Sequence, residues 1–318
     1  MPKYILKRIV NLLPTLFIVA IIIFAVTRII PGNPAATLLG PQASIEEIEK
    51  MTIEMGLDKS YLEQFSSYLK NLLVGDLGYS YAYNMNVSEL IMQRFPNTIV
   101  LTLSALLIAL LIGIPAGIIS AYKRNTMTDY IVMVISLVGV SMPVFWLGVM
   151  LVLVFSVNMG ILPATGMGNW SEGPDVFFRH LILPSITLAT IPMANFARIT
   201  RSSMLEVLSQ DYIRTARAKG LKEHVVIWKH ALKNALNPIL SVLGMQVAGL
   251  LGGSVLTETI FSWPGMGRLI TDAIDRRDYG VVQGVVIFIA LIYVLTNLMI
   301  DILYKVVNPK ITYEGGAK

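Results

Sequence analysis

Cysteine is absent from all 318 residues, which excludes disulfides, thiolate metal ligands and thiol nucleophiles together. Histidine is scarce. His180, His224 and His230 are too scattered to outline a metal site, and the latter two read as surface or packing residues. The dipeptide Gly-Lys never occurs, so the chain lacks the Gly-x-x-x-x-Gly-Lys-Ser/Thr loop that cradles phosphates. Neither His-Glu-x-x-His nor Gly-x-Ser-x-Gly is present. No catalytic residue, metal ligand or cofactor of its own is expected. Charge is sparse too, at 14% of residues against 55% hydrophobic, with a mean hydropathy of +0.67. Such a composition implies an integral membrane protein with lipid around it. The basic residues flank apolar runs instead of gathering on a soluble face, so nucleic acid is not an expected partner.

The apolar runs predict an all-α chain with six transmembrane helices, at about 9–30, 98–121, 130–157, 181–200, 238–257 and 281–307. The first follows Lys3, Lys7 and Arg8. It would extend roughly 33 Å as a helix, and signal-peptide cores are only about 7–15 residues, so it reads as a retained span. The fourth is the most polar, with Thr187, Thr190, Pro192, Asn195 and Arg198. Such groups face protein or a water-filled path, or else they hydrogen-bond between helices. Asn195, Gln246 and Asn297 are the amides placed to line a translocation path. Arg28, Arg198 and Asp301 fall near span ends and are expected to snorkel to the interface. No carboxylate is expected deep in the spans, which argues against an ion- or proton-coupled carrier.

Charge placement sets the orientation. With both termini in the cytoplasm, 16 of 25 basic residues lie inside, while 14 of 20 acidic residues lie outside. The positive-inside rule then places residues 201–237 in the cytoplasm. Three regions follow: the N-terminus and first span (1–30), an extracytoplasmic helical subdomain (31–97), and a transmembrane core (98–318). The subdomain opens on the turn chemistry of "PGNPAA". Ser44 and Glu47 are spaced as a capping box for its first helix. A second helix is expected over 59–74, with Leu62, Phe65, Leu69, Leu72 and Leu73 on its apolar side, before the tight turn "GDLGYS". Phe261 and Trp263 read as residues of a membrane–water boundary.

The most informative stretch is "DYIRTARAKGLKEHVVIWKHALKNALNPIL", residues 211–240, the longest basic segment in the chain. Asp211 is placed to cap a short helix, and Thr215, Ala216 and Ala218 leave its backbone approachable. Gly220 suits a helix C′ position. A second helix carries Val225, Trp228, Leu232 and Leu236 and is expected to end near Pro238. By spacing alone this is either a docking element or an ordinary cytoplasmic loop.

"DYIRTARAKGL" resembles the EAA loop of ABC-importer permeases in its dipeptide and oligopeptide version. The general pattern has Glu-Ala-Ala where this chain has Arg214, Thr215 and Ala216, a departure shared with that subfamily. "GDLGYS", the Arg94–Thr98 "R.P.T" pattern, "GILPATG", "HLILPSITLA", "TETIFSWPGMGRL" and "RDYGVVQG" are similar to wording elsewhere in the same family. The resemblance implies that Asp211, Tyr212, Arg214, Thr215, Ala216, Arg217, Ala218, Lys219, Gly220 and Leu221 dock onto a cytoplasmic ATPase. It further implies a second related permease, two ABC ATPase subunits that carry ATP and magnesium, and an extracytoplasmic peptide-binding protein. The setting is a bacterial or archaeal cytoplasmic membrane. Nickel or a nickel chelate is an alternative cargo within the same family. A stand-alone channel or ion-coupled carrier is the alternative of another class, but it leaves the docking loop unexplained.

Overall fold

The computed structural model describes residues 2–29 and 32–307, with side chains at 13–29, 32–250, 254–300 and 302. These residues fall into two compact units. One comprises Met1–Thr98 with Trp263–Leu295, and the other Ile99–Ser262 with Thr296–Lys318. Residues 263–295, which the sequence reading assigned to the membrane core, thus pack with the N-terminal third. Asp301 and the "EGGAK" tail lie outside the described side chains.

The first unit begins with helix α1 (Pro2–Ile29), followed by α2 (Pro34–Leu39), α3 (Ile45–Glu54) and α4 (Tyr61–Leu73). Ser44 and Glu47 form the expected capping box on α3. Ser60 and Glu63 form a second one that fixes the start of α4 at Tyr61. In both boxes the serine hydroxyl and backbone N–H hold the glutamate carboxyl below its ordinary value. Leu62 and Leu73, read as part of the apolar side of α4, are exposed, and Gln64 is buried instead. The reason is its amide: Nε2 donates to Leu57 O and Lys59 O, and Oε1 accepts from Arg28 Nε at 2.8 Å. A fully bonded amide can be buried at little cost.

After α4 the predominantly helical chain carries a small departure. The "GDLGYS" turn, with Gly75 and Gly78 at positive φ, leads into a short antiparallel pair, β1 (Tyr79–Ser80) and β2 (Met85–Asn86). Helix α5 (Val87–Tyr122), α12 (Met266–Asp275) and α13 (Tyr279–Val307) complete the packing. The core of the unit gathers Ile23, Leu90, Ile91, Met266, Leu269 and Val285. Trp263 is fully buried, and its Nε1 donates to Asn97 O at 2.9 Å, so it anchors the core of this unit. Asn97 Nδ2 returns a bond to Pro264 O, and Thr98 Oγ1 accepts from Met266 N. A Cβ added at Gly280 would lie 2.4 Å from Tyr79 O, so this glycine is required for close approach of the hairpin.

Helices α5, α8 (Pro174–Leu208) and α13 (as far as Ile300) are each long and apolar enough to cross a membrane unbroken. At 36 residues α5 is about 54 Å long, well beyond the roughly 30 Å hydrocarbon core. It therefore starts 11 residues before the expected span at 98. The third expected span, 130–157, is not straight. Helix α6 (Met127–Ser141) and the stretch formed by α7 (Val144–Leu151) with a π-helical turn (Val152–Asn158) meet at 104°. Met142 is extended because Pro143 follows it, and that breaks the helix.

Following α9 (Asp211–Ala218) come α10 (Glu223–Val225), a π-helical turn (Val226–Ala231) and α11 (Leu232–Ile260). The helix passes through Pro238 and does not stop there. Ala231, Ala235 and Ile239 are buried on both sides of the proline, and that packing outweighs the lost backbone bond. The segments Glu223–Leu250 and Ser254–Ile260 lie at 50° to each other.

Candidate functional site

Helix α9 is amphipathic at its short scale. Ile213 and Ala216 turn inward and are buried, while Asp211, Arg214, Thr215 and Ala218 share the opposite face. Gln210, not Asp211, is the N-cap residue, and no side-chain cap bond forms. Asp211 sits in the first turn, where its carboxylate suits the helix dipole, 3.5 Å from Arg214 on an exposed surface. Ala216 thus serves internal packing, and among the small residues Thr215 and Ala218 carry the approachable face. Thr215 Oγ1 donates to its own helix at Asp211 O.

The helix ends as the sequence predicts. Gly220 has φ +78°, its N–H donates to Arg217 O at 2.9 Å, and Leu221 N donates to Ala216 O at 3.4 Å. These two bonds form a Schellman stop, with Gly220 at C′. Arg217 reaches across the turn to Glu223 with two bonds, Nη2 to Oε1 at 2.7 Å and Nε to Oε2 at 3.2 Å. The guanidinium holds the Glu223 carboxyl below its ordinary value, and the carboxylate raises Arg217 in return. Tyr212 Oη accepts from Asn234 Nδ2 at 2.8 Å, which ties α9 to α11. Lys219 and Leu221 are exposed at the bend.

What lies under α9 gives it leverage. Ile213 and Ala216 join one cluster with Ile118 and Ala121 of α5, Met204 of α8, and Val226, Ile227, Ala231 and Ala235. Of the expected apolar face, Leu232 packs against this cluster and Val225 and Leu236 are half-buried, whereas Trp228 is exposed and Val226, Ile227, Ala231 and Ala235 form the buried side. The π-helical turn inserts a five-residue step between Val226 and Ala231, so the buried face shifts off the 3.6-residue register.

Beside this cluster, Asp129 of α6 is buried and fully engaged. Arg201 of α8 binds it through Nε at 2.6 Å and Nη2 at 2.8 Å, Ser120 of α5 donates to Oδ1 at 2.5 Å, and Asn125 N donates to Oδ2 at 3.0 Å. Helices α5, α6 and α8 are therefore clamped by one carboxylate. Nothing in the sequence pattern marks Asp129 or Arg201 as partners. No local signal joins residues 72 positions apart. Glu258, just beyond the expected fifth span, is also fully buried, inside the last turn of α11.

Of the residues considered for a path, Asn195, Gln246 and Asn297 are each half-buried. Thr187 and Thr190 donate to Leu183 O and Ile186 O of their own helix, so neither expected role, path lining or interhelical bonding, accounts for their hydroxyl protons. Arg198 is exposed. Arg28 is held by Gln64 and by the faces of Phe24 and Tyr279. A readable signal was missed at Gly113-x-x-x-Gly117. Added Cβ atoms there would lie 2.5 Å from Met193 O and 2.5 Å from Ala197 O, so α5 and α8 are in near-backbone contact. Among the described residues, no group of three or more His, Cys, Asp or Glu is placed to hold a metal ion.

Comparison with known proteins covers the whole chain. The family described as "Binding-protein-dependent transport system inner membrane component" matches residues 113–313. The one described as "Binding-prot-dependent transport system membrane comp, N-term" matches residues 1–102. The dipeptide transport system permease protein DppB of Alkalihalophilus pseudofirmus is 48% identical over 333 residues, spanning 98% of this chain and 100% of that protein. The glutathione transport system permease protein GsiC of Escherichia coli is 42% identical over 314 residues, spanning 99% and 100%. Inward-facing structures of the MetNI methionine ABC transporter overlay 70% of this chain and 97% of theirs. Their TM-score of 0.56 at 17% identity is a likeness of fold.

Proposed function

The chain belongs to the binding-protein-dependent transport system inner membrane components, and from that premise we propose that it is the permease of an ATP-driven importer of short peptides. It forms the membrane path with a second, related permease. Two cytoplasmic ATPase subunits bind ATP and magnesium, and an extracytoplasmic protein delivers the peptide. The relatives named for dipeptide and for glutathione, itself a tripeptide, support the substrate class.

One observation carries the mechanism: the inward face of α9 is embedded among residues of α5, α8 and the α10–α11 hairpin. A push on its outward face, at Asp211, Arg214, Thr215 and Ala218, reaches those helices together. Helices transmit such a push because their backbone bonds are satisfied internally within lipid. The ATPases close on ATP, α9 moves with them, and the spans rock between inward- and outward-facing states. In this reading six spans cross the membrane, the α6–α7 pair and α11 each counting as one bent span, with both termini in the cytoplasm. Residues 31–97 form the extracytoplasmic subdomain, and 201–237 the coupling loop. Asn195, Gln246 and Asn297 line the path.

The test is ATP hydrolysis and peptide uptake by the reconstituted complex. Hydrolysis stimulated by peptide-loaded delivery protein, together with uptake that needs ATP, supports the reading. Peptide flux through this chain without the ATPases would overturn it. Gly220→Val tests the bend. A Cβ there meets nothing within 4 Å, so the fault is conformational, since φ +78° disfavours a β-branched residue. The Val variant should hydrolyse ATP without transporting. Gly220→Asn, whose side chain tolerates positive φ, should transport.

A further inference from the structure

Within the first unit lies a cavity of about 290 Å³, walled by α4, the "GDLGYS" turn, β1 and the start of α13. That is at the small end of the roughly 300–1,000 Å³ of ligand sites. Arg28, from the last turn of α1, lies in its wall. Its guanidinium is held without being neutralised. Gln64 has both amide protons committed to backbone carbonyls, so its neutral oxygen faces Arg28 Nε. Thr27 Oγ1 accepts from Nη1 at 3.3 Å, and the rings of Phe24 and Tyr279 lie 4.7 Å and 5.1 Å from the guanidinium carbon. Of the five N–H donors on an arginine, three are left with no partner among the described residues.

The acids nearby are otherwise occupied. Asp278 accepts from Ser80 Oγ, Ala82 N and Val281 N, and one oxygen of Asp76 accepts from Gly78 N. Lys59 adds a second cation to the wall. The wall therefore holds a pre-positioned guanidinium fork, a mobile ammonium and, at Asp76, one spare carboxylate oxygen. A fork of that kind matches a carboxylate with two parallel bonds.

We propose that this pocket binds the C-terminal carboxylate of a short peptide. Arg28 and Lys59 hold the carboxylate, Gln64 orients Arg28, and Asp76 accepts from the peptide ammonium. The peptide as source rests on the transport reading above, whereas the carboxylate site stands on the pocket's own chemistry.

The experiment is calorimetric titration of the purified permease–ATPase complex, without delivery protein, using L-alanyl-L-alanine, its C-terminal amide and its N-acetyl form. The dipeptide should bind, and the amide should bind weaker by about tenfold or more, the effect of losing one bond to a charged group. Lys59→Ala, an exposed change that leaves packing intact, should weaken the dipeptide several-fold. Asp76→Asn should weaken the dipeptide but not its N-acetyl form. Equal binding of acid and amide, no binding at all, or displacement by equimolar chloride would each overturn the site. So would Lys59→Ala weakening delivery-protein docking with peptide binding intact, because the carboxylate would then be that protein's. Uptake is measured on the same samples. Transport with no Arg28- or Lys59-dependent binding sinks this site alone, and binding without ATP-driven uptake sinks the transport reading alone.

Discussion

Each of the two compact units of this chain is held together internally by its own means. In the unit built on Met1–Thr98 and Trp263–Leu295, distant segments are tied by specific polar bonds. Trp263 bonds to Asn97, Thr98 to Met266, Ser80 to Asp278 and Gln283 to Thr27. In the unit built on Ile99–Ser262, the buried hydroxyls of Ser136 and Thr187 turn back on their own helix. Those of Thr102, Ser185, Thr200 and Thr257 have no hydrogen-bond partner among the described residues. There, closeness comes from glycine. Gly113 and Gly117 bring α5 against the backbone of α8, and Gly139 and Gly148 sit against Thr190, Thr187 and Phe261. Close approach of small residues lets helix backbones meet without side-chain bonds, whereas specific polar bonds fix the register of distant segments. The Asp129–Arg201 clamp and the Tyr212–Asn234 bond are polar ties between segments of the second unit.

Breaking the closeness should do most. Gly117→Leu puts a branched side chain where a Cβ alone is 2.5 Å from Ala197 O and 2.6 Å from Thr200 Cβ. We expect no assembled complex by size-exclusion chromatography of membrane extracts, whereas Gly249→Ala, with nothing within 4 Å, should assemble. Assembly of the Leu variant would show that α5 and α8 separate cheaply.

Removing the clamp comes next. Asp129→Ala strands Arg201 beside the helices and should cost about 3 kcal/mol, at the low end for a buried pair because Arg201 is a quarter exposed. The double variant Asp129→Ala with Arg201→Met should recover much of that in thermal unfolding of the complex. If the double variant is as unstable as the single one, the pair itself, not the stranded charge, provides the stability.

The smallest effect belongs to the exposed Arg217–Glu223 pair. Glu223→Gln should change stability by no more than about 1 kcal/mol. Because Glu223 is held below its ordinary value, near 4.3 unfolded, its contribution is complete above that pH and is lost as pH falls through the lowered value. Protease cleavage near Lys219 and Lys222 should therefore rise in acid for the native chain and be acid-independent in Glu223→Gln. An identical pH profile for both would remove the pair from the loop's architecture.

The proposed coupling loop was legible because its signals are local. Gly220 marks a left-handed stop in any setting, and Ser44 with Glu47 marks a helix start within four residues. The inward turn of Ala216 was not legible, since a three-residue stretch of small side chains reads alike on either face. The displaced face after Val226 was lost for a related reason. A π-helical turn changes the period on which the pattern was counted.

By itself, then, the sequence determined membrane residence, helix as the dominant element, the capped starts and the glycine stop, because propensity and hydropathy act over a few residues. It also carried the family, in wording spread along the whole chain. Only the tertiary structure decided that the expected third span is broken by a 104° bend, that Pro238 lies inside a helix and that Trp263 is buried. The same holds for Asp129 meeting Arg201 and for Arg28 lying in a pocket wall without a counter-ion among the described residues. Each of these depends on which distant segment arrives to satisfy a bond or fill a volume, and local preference cannot specify that arrival.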